Sequence, residues 1–173
     1  LENGINVCLG TNEVSCNNRQ DMLEEARYAA LYQKMRRGDP AVLSGDQPLR
    51  LITEYAGRAL NTGVGVLASG RPADLIILDE KTPNMLPGFD PIADIVFAAS
   101  SGDVRTVMVA GRLVMEEGEM QVINEEELVG TLQKKAHQWR KLIPDPLPAG
   151  DQAVLYDLRW DVDRPAVEKG WND

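Results

Sequence analysis

Close to the start of the chain, a short apolar run, Ile5-Asn6-Val7-Cys8-Leu9, stops at Gly10 and gives way to Thr11-Asn12-Glu13-Val14-Ser15-Cys16-Asn17-Asn18. A helix-forming stretch follows at once. Apolar run, glycine, small polar cluster and helix is the pattern of a β-strand ending in a polar tip. In α/β enzymes chemistry gathers at such strand ends. The order commits the chain to a fold in which a strand feeds straight into a helix. The preceding Leu1-Glu2-Asn3-Gly4 reads as the end of a helix and its glycine turn.

Downstream, Asn17 or Asn18 serves as N-cap of a helix over residues 18–37, with Asp21 in its first turn, where the helix dipole favours a carboxylate. Met22, Leu23, Ala26, Ala29, Ala30 and Leu31 form its apolar stripe. Lys34, Arg36 and Arg37 fill its last turn, and Gly38-Asp39-Pro40 stops it. A second helix starts near Pro48, a favourable first-turn residue, carries Leu49, Ile52, Thr53, Ala56 and Leu60 on one side, and ends at Asn61-Thr62-Gly63. Beyond Val64 the pattern turns to strand and turn. Residues 73–79 (Ala-Asp-Leu-Ile-Ile-Leu-Asp) read as a strand, a proline-rich loop spans 82–91, and the apolar run 92–99 fits either a strand or a short helix. Val104 to Val109 is the strongest strand, and Ala110-Gly111 turns it into a hairpin over 104–115. Asn124 with Glu127 three residues later starts a helix with Leu128, Leu132, Ala136, Trp139 and Leu142 on one face, ended by Pro144. Residues 144–173 read as an extended tail packing through Leu155, Leu158 and Trp160. The chain thus divides into 1–62, 63–123, 124–143 and 144–173.

With 43% hydrophobic and 26% charged residues in 173, the chain is that of an ordinary globular protein. A net charge of −9 argues against nucleic acid or anionic membrane as partner, since both need a basic surface. No apolar run approaches the length of a membrane span. Two cysteines give no disulfide framework, and Cys8 in an apolar strand reads as a buried free thiol, so a cytoplasmic setting is expected.

The residues themselves offer little catalysis. The single histidine, His137, cannot build a zinc or iron centre, which needs several convergent ligands. Cys8, Cys16, Ser15 and Ser69 have no evident base, although Cys16 precedes a helix whose dipole favours the thiolate. The glycines at 63, 65 and 102 lack the lysine and spacing of a phosphate-binding loop and read as turns. At the strand tip, Asn12, Ser15, Asn17 and Asn18 suit ligand contacts and turn or capping roles equally well.

The order of motifs nevertheless resembles a known family. Gly4 to Thr11, then Asn17-Asn18-Arg19-Gln20-Asp21-Met22, are similar to the eighth barrel strand and following helix of the metal-dependent amidohydrolases, in the branch holding methylthioadenosine/S-adenosylhomocysteine deaminases and chlorohydrolases. Thr53 to Leu60, Gly70 to Asp79 and Val104 to Arg112 resemble that family's later helix, its re-entry into the small β-domain and its closing hairpin. The match runs over about residues 4–142; the tail after Pro144 matches nothing.

The resemblance implies a mixed α/β fold: the last βα portion of a (β/α)8 barrel, or TIM barrel, plus the C-terminal part of a small β-sandwich. It implies a metal-dependent hydrolase, with zinc or iron as cofactor and a deaminase reaction on a purine-nucleoside-type C–N centre. The family's metal-binding histidines are not among these residues, and Asn12 stands where the strand-eight Asp is expected. Asn12 is therefore the candidate catalytic and metal position, with Ser15 and Asn17 as candidate substrate contacts. A neutral amide cannot take a proton as a carboxylate does, and Glu13 cannot stand in, because neighbouring strand residues point to opposite sides. Whether this chain is itself an enzyme stays open. The expected reading is a fragment: the C-terminal portion of a hydrolytic deaminase, inactive alone and binding no metal alone, meeting a small-molecule substrate only in a completed barrel. Unpaired strand edges call for a homo-oligomer or an N-terminal partner segment. The alternative is a non-catalytic assembly or interaction module derived from the same family.

Overall fold

The computed structural model describes residues 3–140. Two units are present, one ending at Ile123 and one beginning at Asn124. In the first, α1 (Met22–Arg37), α2 (Gln47–Ile52), α3 (Glu54–Leu60) and α4 (Pro91–Phe97) accompany a four-stranded sheet of β1 (Leu75–Leu78), β2 (Val104–Val109), β3 (Arg112–Glu116) and β4 (Glu119–Met120). The sheet is an antiparallel meander in the order β1-β2-β3-β4. No described helix is long and apolar enough to cross a membrane.

The strand expected at 5–9 has no ladder: residues 5–13 carry no regular structure. A strand exists through its partner's hydrogen bonds, and this segment has only Leu9 N–H on Leu51 O (3.1 Å) and the Asn6 amide on Tyr55 O (2.9 Å). Cys8 is accordingly exposed, not buried as expected. Gly4 does make a turn, at φ 70°.

Helix α1 begins later than expected, because Asp21 and not Asn17 or Asn18 is its N-cap; Asp21 Oδ1 accepts from Leu23 N–H (2.9 Å) and Glu24 N–H (3.2 Å). Gly38 closes α1 in the left-handed conformation, as the glycine stop implies. Leu23, Ala26 and Ala30 form the buried stripe, whereas Leu31 faces solvent. Leu23 packs with Met85 and Ala99, flanked by Ile52, Leu78 and Ile95, so the core lies between α1, α2, α4 and the start of the sheet.

The single helix expected over 48–60 is broken in two. Thr53 leaves helical geometry at φ −123°, ψ −92°, and its hydroxyl donates back to Leu49 O (2.7 Å). The cause lies further along the chain. A Cβ on Gly65 would sit 2.3 Å from Thr53 O, and one on Gly57 would sit 2.0 Å from Val64 O. The 64–65 backbone thus crosses directly against α3, and only glycine permits the approach at both contacts. Leu60, expected on the apolar side, is exposed.

The apolar run at 92–99 resolves as helix α4, capped by Asp90, whose Oδ1 accepts from Ile92 and Ala93 N–H (both 3.1 Å). Ala110 and Gly111 both have positive φ, 49° and 77°, which is the type I′ geometry of a two-residue hairpin. The tip is pinned by the two residues just before β1: Ala110 N–H donates to Asp74 Oδ1 and Gly111 N–H to Ala73 O (3.0 Å). In register, Leu75 pairs Met108 and Ile77 pairs Thr106, with a bulge before Leu78.

The second unit holds α5 (Glu125–Arg140), capped by Asn124 Oδ1 accepting from Glu127 N–H at 3.1 Å. Three glutamates fill its first turn, as the helix dipole favours. The expected helix end at Leu142–Pro144, the tail over 144–173 and the helix end at Leu1–Glu2 lie outside the described residues.

Candidate functional site

The polar tip between the opening segment and α1 folds as a turn. Cys16 and Asn17 N–H both donate to Glu13 O at 3.0 Å. Thr11 Oγ1 donates to Gln20 Oε1 (3.0 Å) and Asn12 O (3.3 Å), which closes the tip back on itself. Asn12 sits in the left-handed region at φ 60° with an exposed side chain. Ser15 is exposed, its hydroxyl 3.9 Å from Cys16 Sγ, and that thiol lies 3.7 Å from Glu13 Oε1.

Asn17 is the tip residue most tightly built in. Its Oδ1 accepts from Arg19 N–H (3.0 Å), its Nδ2 donates to Glu25 Oε1 (2.6 Å), and its carbonyl accepts from Gln20 Nε2 (2.9 Å). Arg19 meets Glu24 at 2.9 Å, and Glu24 also accepts from the Tyr28 hydroxyl at 3.0 Å. The first two turns of α1 thus hold the tip by side-chain bonds. Among the three candidate residues, Asn17 is anchored to the helix, while Asn12 and Ser15 present free faces of the turn.

Behind the tip, α1 grips the corner between α4 and β2. Asp21 Oδ2 accepts from Ser101 N–H at 3.0 Å, while its other oxygen caps the helix. Burial by itself would raise the Asp21 pKa, but hydrogen bonds from Ser101, Glu24 and Leu23 outweigh it and hold the carboxyl below its ordinary value. One α-helical stretch later, Arg27 donates through Nε to Val96 O (3.2 Å) and through its terminal nitrogen to Ala99 O. Val96 O is among the last carbonyls of α4, which have no partner within the helix, and Ala99 O lies two residues past its end. Across the corner, buried Asp103 accepts from Ser100 N–H (2.8 Å) and Oγ (3.0 Å) and from Asn84 Nδ2 (3.4 Å). Burial again pushes its carboxyl up, and the polar neighbours Thr82, Ser100 and Asn84 more than reverse that, leaving it lowered. Sequence reading placed Asp21 only in a first turn and passed over Arg27 and Asp103, whose partners are remote in the chain.

On the side of the segment that leads into the tip, a groove of about 870 Å³ runs along α1 and α2. Val7 and Leu9 line it with Ala29, Val42, Leu43 and Leu51. Those two alternate residues face one way, so the opening run keeps its strand-like alternation of sides without a ladder.

Among the described residues no group of three His, Cys, Asp or Glu side chains is placed to hold an ion. His137 lies on α5, in the second unit. The carboxylates around the tip, Glu13, Glu24 and Glu25, are directed at Cys16, Arg19 and Asn17. Ser69 lies in an exposed turn, Gly65 serves the backbone crossing at α3, and Gly63 turns the chain at φ 73°.

Comparison with known proteins gives a concordant set. Residues 1–114 match the family model described as the amidohydrolase family. A 5′-deoxyadenosine deaminase of Methanosarcina mazei is 38% identical over 138 residues, 80% of this chain and 32% of that protein. A 5-methylthioadenosine/S-adenosylhomocysteine deaminase of Pelotomaculum thermopropionicum is 43% identical over 139 residues, 79% of this chain and 32% of that protein. The chain therefore spans about a third of the length of the curated relatives it matches. Among solved structures, a zinc-bound adenosine deaminase from Xanthomonas campestris superposes with a TM-score of 0.74 at 29% identity, over 81% of this chain and 31% of that one. Atrazine chlorohydrolase from Arthrobacter aurescens, complexed with zinc, superposes at 0.69 and 26% identity, over 77% of this chain and 30% of that one.

Proposed function

Since the chain belongs to the amidohydrolase family, we propose that it supplies the C-terminal segment of a hydrolytic deaminase acting on a purine-nucleoside-type substrate. The observation that carries the reading is the match of this chain to proteins named as deaminases of 5′-deoxyadenosine and of 5-methylthioadenosine/S-adenosylhomocysteine. In this reading the tip 11–18 is the end of the last barrel strand, and the β1–β4 meander belongs to the small β-sandwich beside the barrel. Asn12, Ser15 and Asn17 then border the substrate with amides and a hydroxyl, groups that accept and donate hydrogen bonds without carrying charge. The zinc found in the related solved structures does not fit the residues of this chain, so no step of the reaction is assigned to it here. A fragment inactive by itself is the corollary, since a working site would need groups from the remaining two thirds of such a protein. A cytoplasmic setting belongs to the same proposal, supported by the two free thiols Cys8 and Cys16.

The test is complementation. The chain is assayed for ammonia release from 5′-deoxyadenosine and methylthioadenosine, alone and mixed with the preceding two thirds of the Pelotomaculum relative. Turnover only in the mixture is the expected result. Turnover by the chain alone would refute inactivity. A stable complex without turnover would favour the assembly-module alternative instead.

A further inference from the structure

We propose that Gln20 is a positioning residue of the tip: its amide fastens Thr11 to Asn17 and so fixes where Asn12 and Ser15 stand against the substrate. The substrate half of this inference rests on the deaminase reading, whereas the staple itself rests on geometry. Gln20 Oε1 accepts the Thr11 hydroxyl at 3.0 Å, and Gln20 Nε2 donates to Asn17 O at 2.9 Å. One side chain thus joins the end of the opening segment to the approach of α1. The exposed residues Asn12 and Ser15 lie between the two fastened points. The position asks one terminal group to accept at one end and donate at the other. A carboxylate has no donor and an ammonium or guanidinium no acceptor; among the long unbranched polar side chains only glutamine carries both.

The staple is anchored on fixed ground. Asp21, the next residue, caps α1 and accepts from Ser101 N–H at 3.0 Å, and Asn17 is tied to α1 by Glu25 at 2.6 Å. Gln20 therefore reaches outward from the helix start to Thr11. Within the staple, the turn is held by Cys16 and Asn17 N–H on Glu13 O, both at 3.0 Å. Removing the Gln20 amide leaves Asn17 with α1 but frees Thr11, and with it the placement of Asn12 and Ser15. Gln20 touches no substrate in this arrangement; it acts through Thr11 and Asn17.

Hydrogen exchange on the chain alone tests the staple. Gln20→Met keeps the length and loses both polar groups. In it the amides of Cys16 and Asn17 should exchange about fivefold faster, the effect of one lost hydrogen bond, while Ala30 in mid-α1 keeps its wild-type rate. Thr11→Val removes one end of the same staple, so the double variant should exchange no faster than Gln20→Met. Unchanged exchange at Cys16 and Asn17, or effects that multiply in the double variant, overturns the staple. The positioning role is read in the complemented mixture. There Gln20→Met should raise KM about fivefold with kcat within about twofold, because Asn12 and Ser15 hold bound substrate and transition state alike. A variant that merely assembles less enzyme lowers kcat at constant KM, and that result overturns the role. A mixture that gives no turnover with wild-type chain sinks the deaminase reading, while the exchange rates still decide the staple.

Discussion

Replacing Gly57 with alanine tests the crossing of the 64–65 backbone against α3. On helix propensity alone the change should help, by about 1 kcal/mol. The structure says otherwise. The new methyl would lie 2.0 Å from Val64 O and 2.8 Å from Val64 C, where ordinary contact begins at 3.4 Å. The Val64 peptide would have to retreat by about 1.4 Å, the difference between 3.4 and 2.0 Å. That peptide has little room to move, since the next residue, Gly65, runs so close to Thr53 that a Cβ added to it would lie 2.3 Å from Thr53 O. Overpacking where neither side yields costs about 3 kcal/mol. The net loss is then about 2 kcal/mol, or about 8 °C of Tm for a unit of this size. Urea and thermal melts followed by circular dichroism measure it. Gly130→Ala is the control, a helical glycine with nothing within 4 Å of its Cβ position, which should instead stabilise its own helix by about 1 kcal/mol. A Gly57→Ala protein as stable as wild type would refute the argument.

The remaining predictions concern the polar contacts. Asp21→Ala removes a helix cap and the Ser101 contact together, and should cost about 2 kcal/mol in urea melts. Asp21 and Asp103 have folded-state pKa values below the ordinary 3.8, so their contribution is fully present above that value. It is lost as pH falls through the lower folded values; stability measured from pH 6 downward should fall below about pH 4, and less steeply in Asp21→Asn. Arg27→Met leaves Val96 O and Ala99 O without their donor and should destabilise by about 2 kcal/mol in the same melts. Ala110→Asn puts the preferred residue at the first left-handed position of the I′ turn and should raise stability by about 0.5 kcal/mol, with an unchanged far-ultraviolet spectrum.

Elements governed by neighbours in sequence were legible, and those governed by remote partners were not. Gly38 as the stop of α1, the Ala110-Gly111 turn and the Asn124 cap depend on a few adjacent residues, and each stands where the residue types imply. The 92–99 run is ambiguous because eight apolar-rich residues suit either period; Asp90 followed by Pro91 is the local cap signal that marks it as a helix. The break at Thr53 could not be read locally, since its cause is Gly65. The opening segment kept its alternation but not its ladder, which only a neighbouring strand can provide. At the candidate site the pattern singles out Asn12, Ser15 and Asn17 only as candidates, and says nothing of the left-handed turn at Asn12 or the grip of Glu25 on Asn17. Several recognisable motif residues prove to be scaffold: Asp21 caps and clamps, Asp74 pins a hairpin, and Gly57 clears a path for backbone.

The bond from Asp21 to Ser101 joins residues eighty apart in the chain. Closing a loop of that length costs about 4 kcal/mol of chain entropy before the contact returns anything. A clasp of this kind cannot be part of an early nucleus; it closes after the helix and the hairpin have each formed from nearby residues. Its strength is therefore felt on the way out and not on the way in. Weakening it should leave the rate of folding nearly untouched and hasten unfolding, so the clasp governs how long the tip and the sheet stay fastened once assembled.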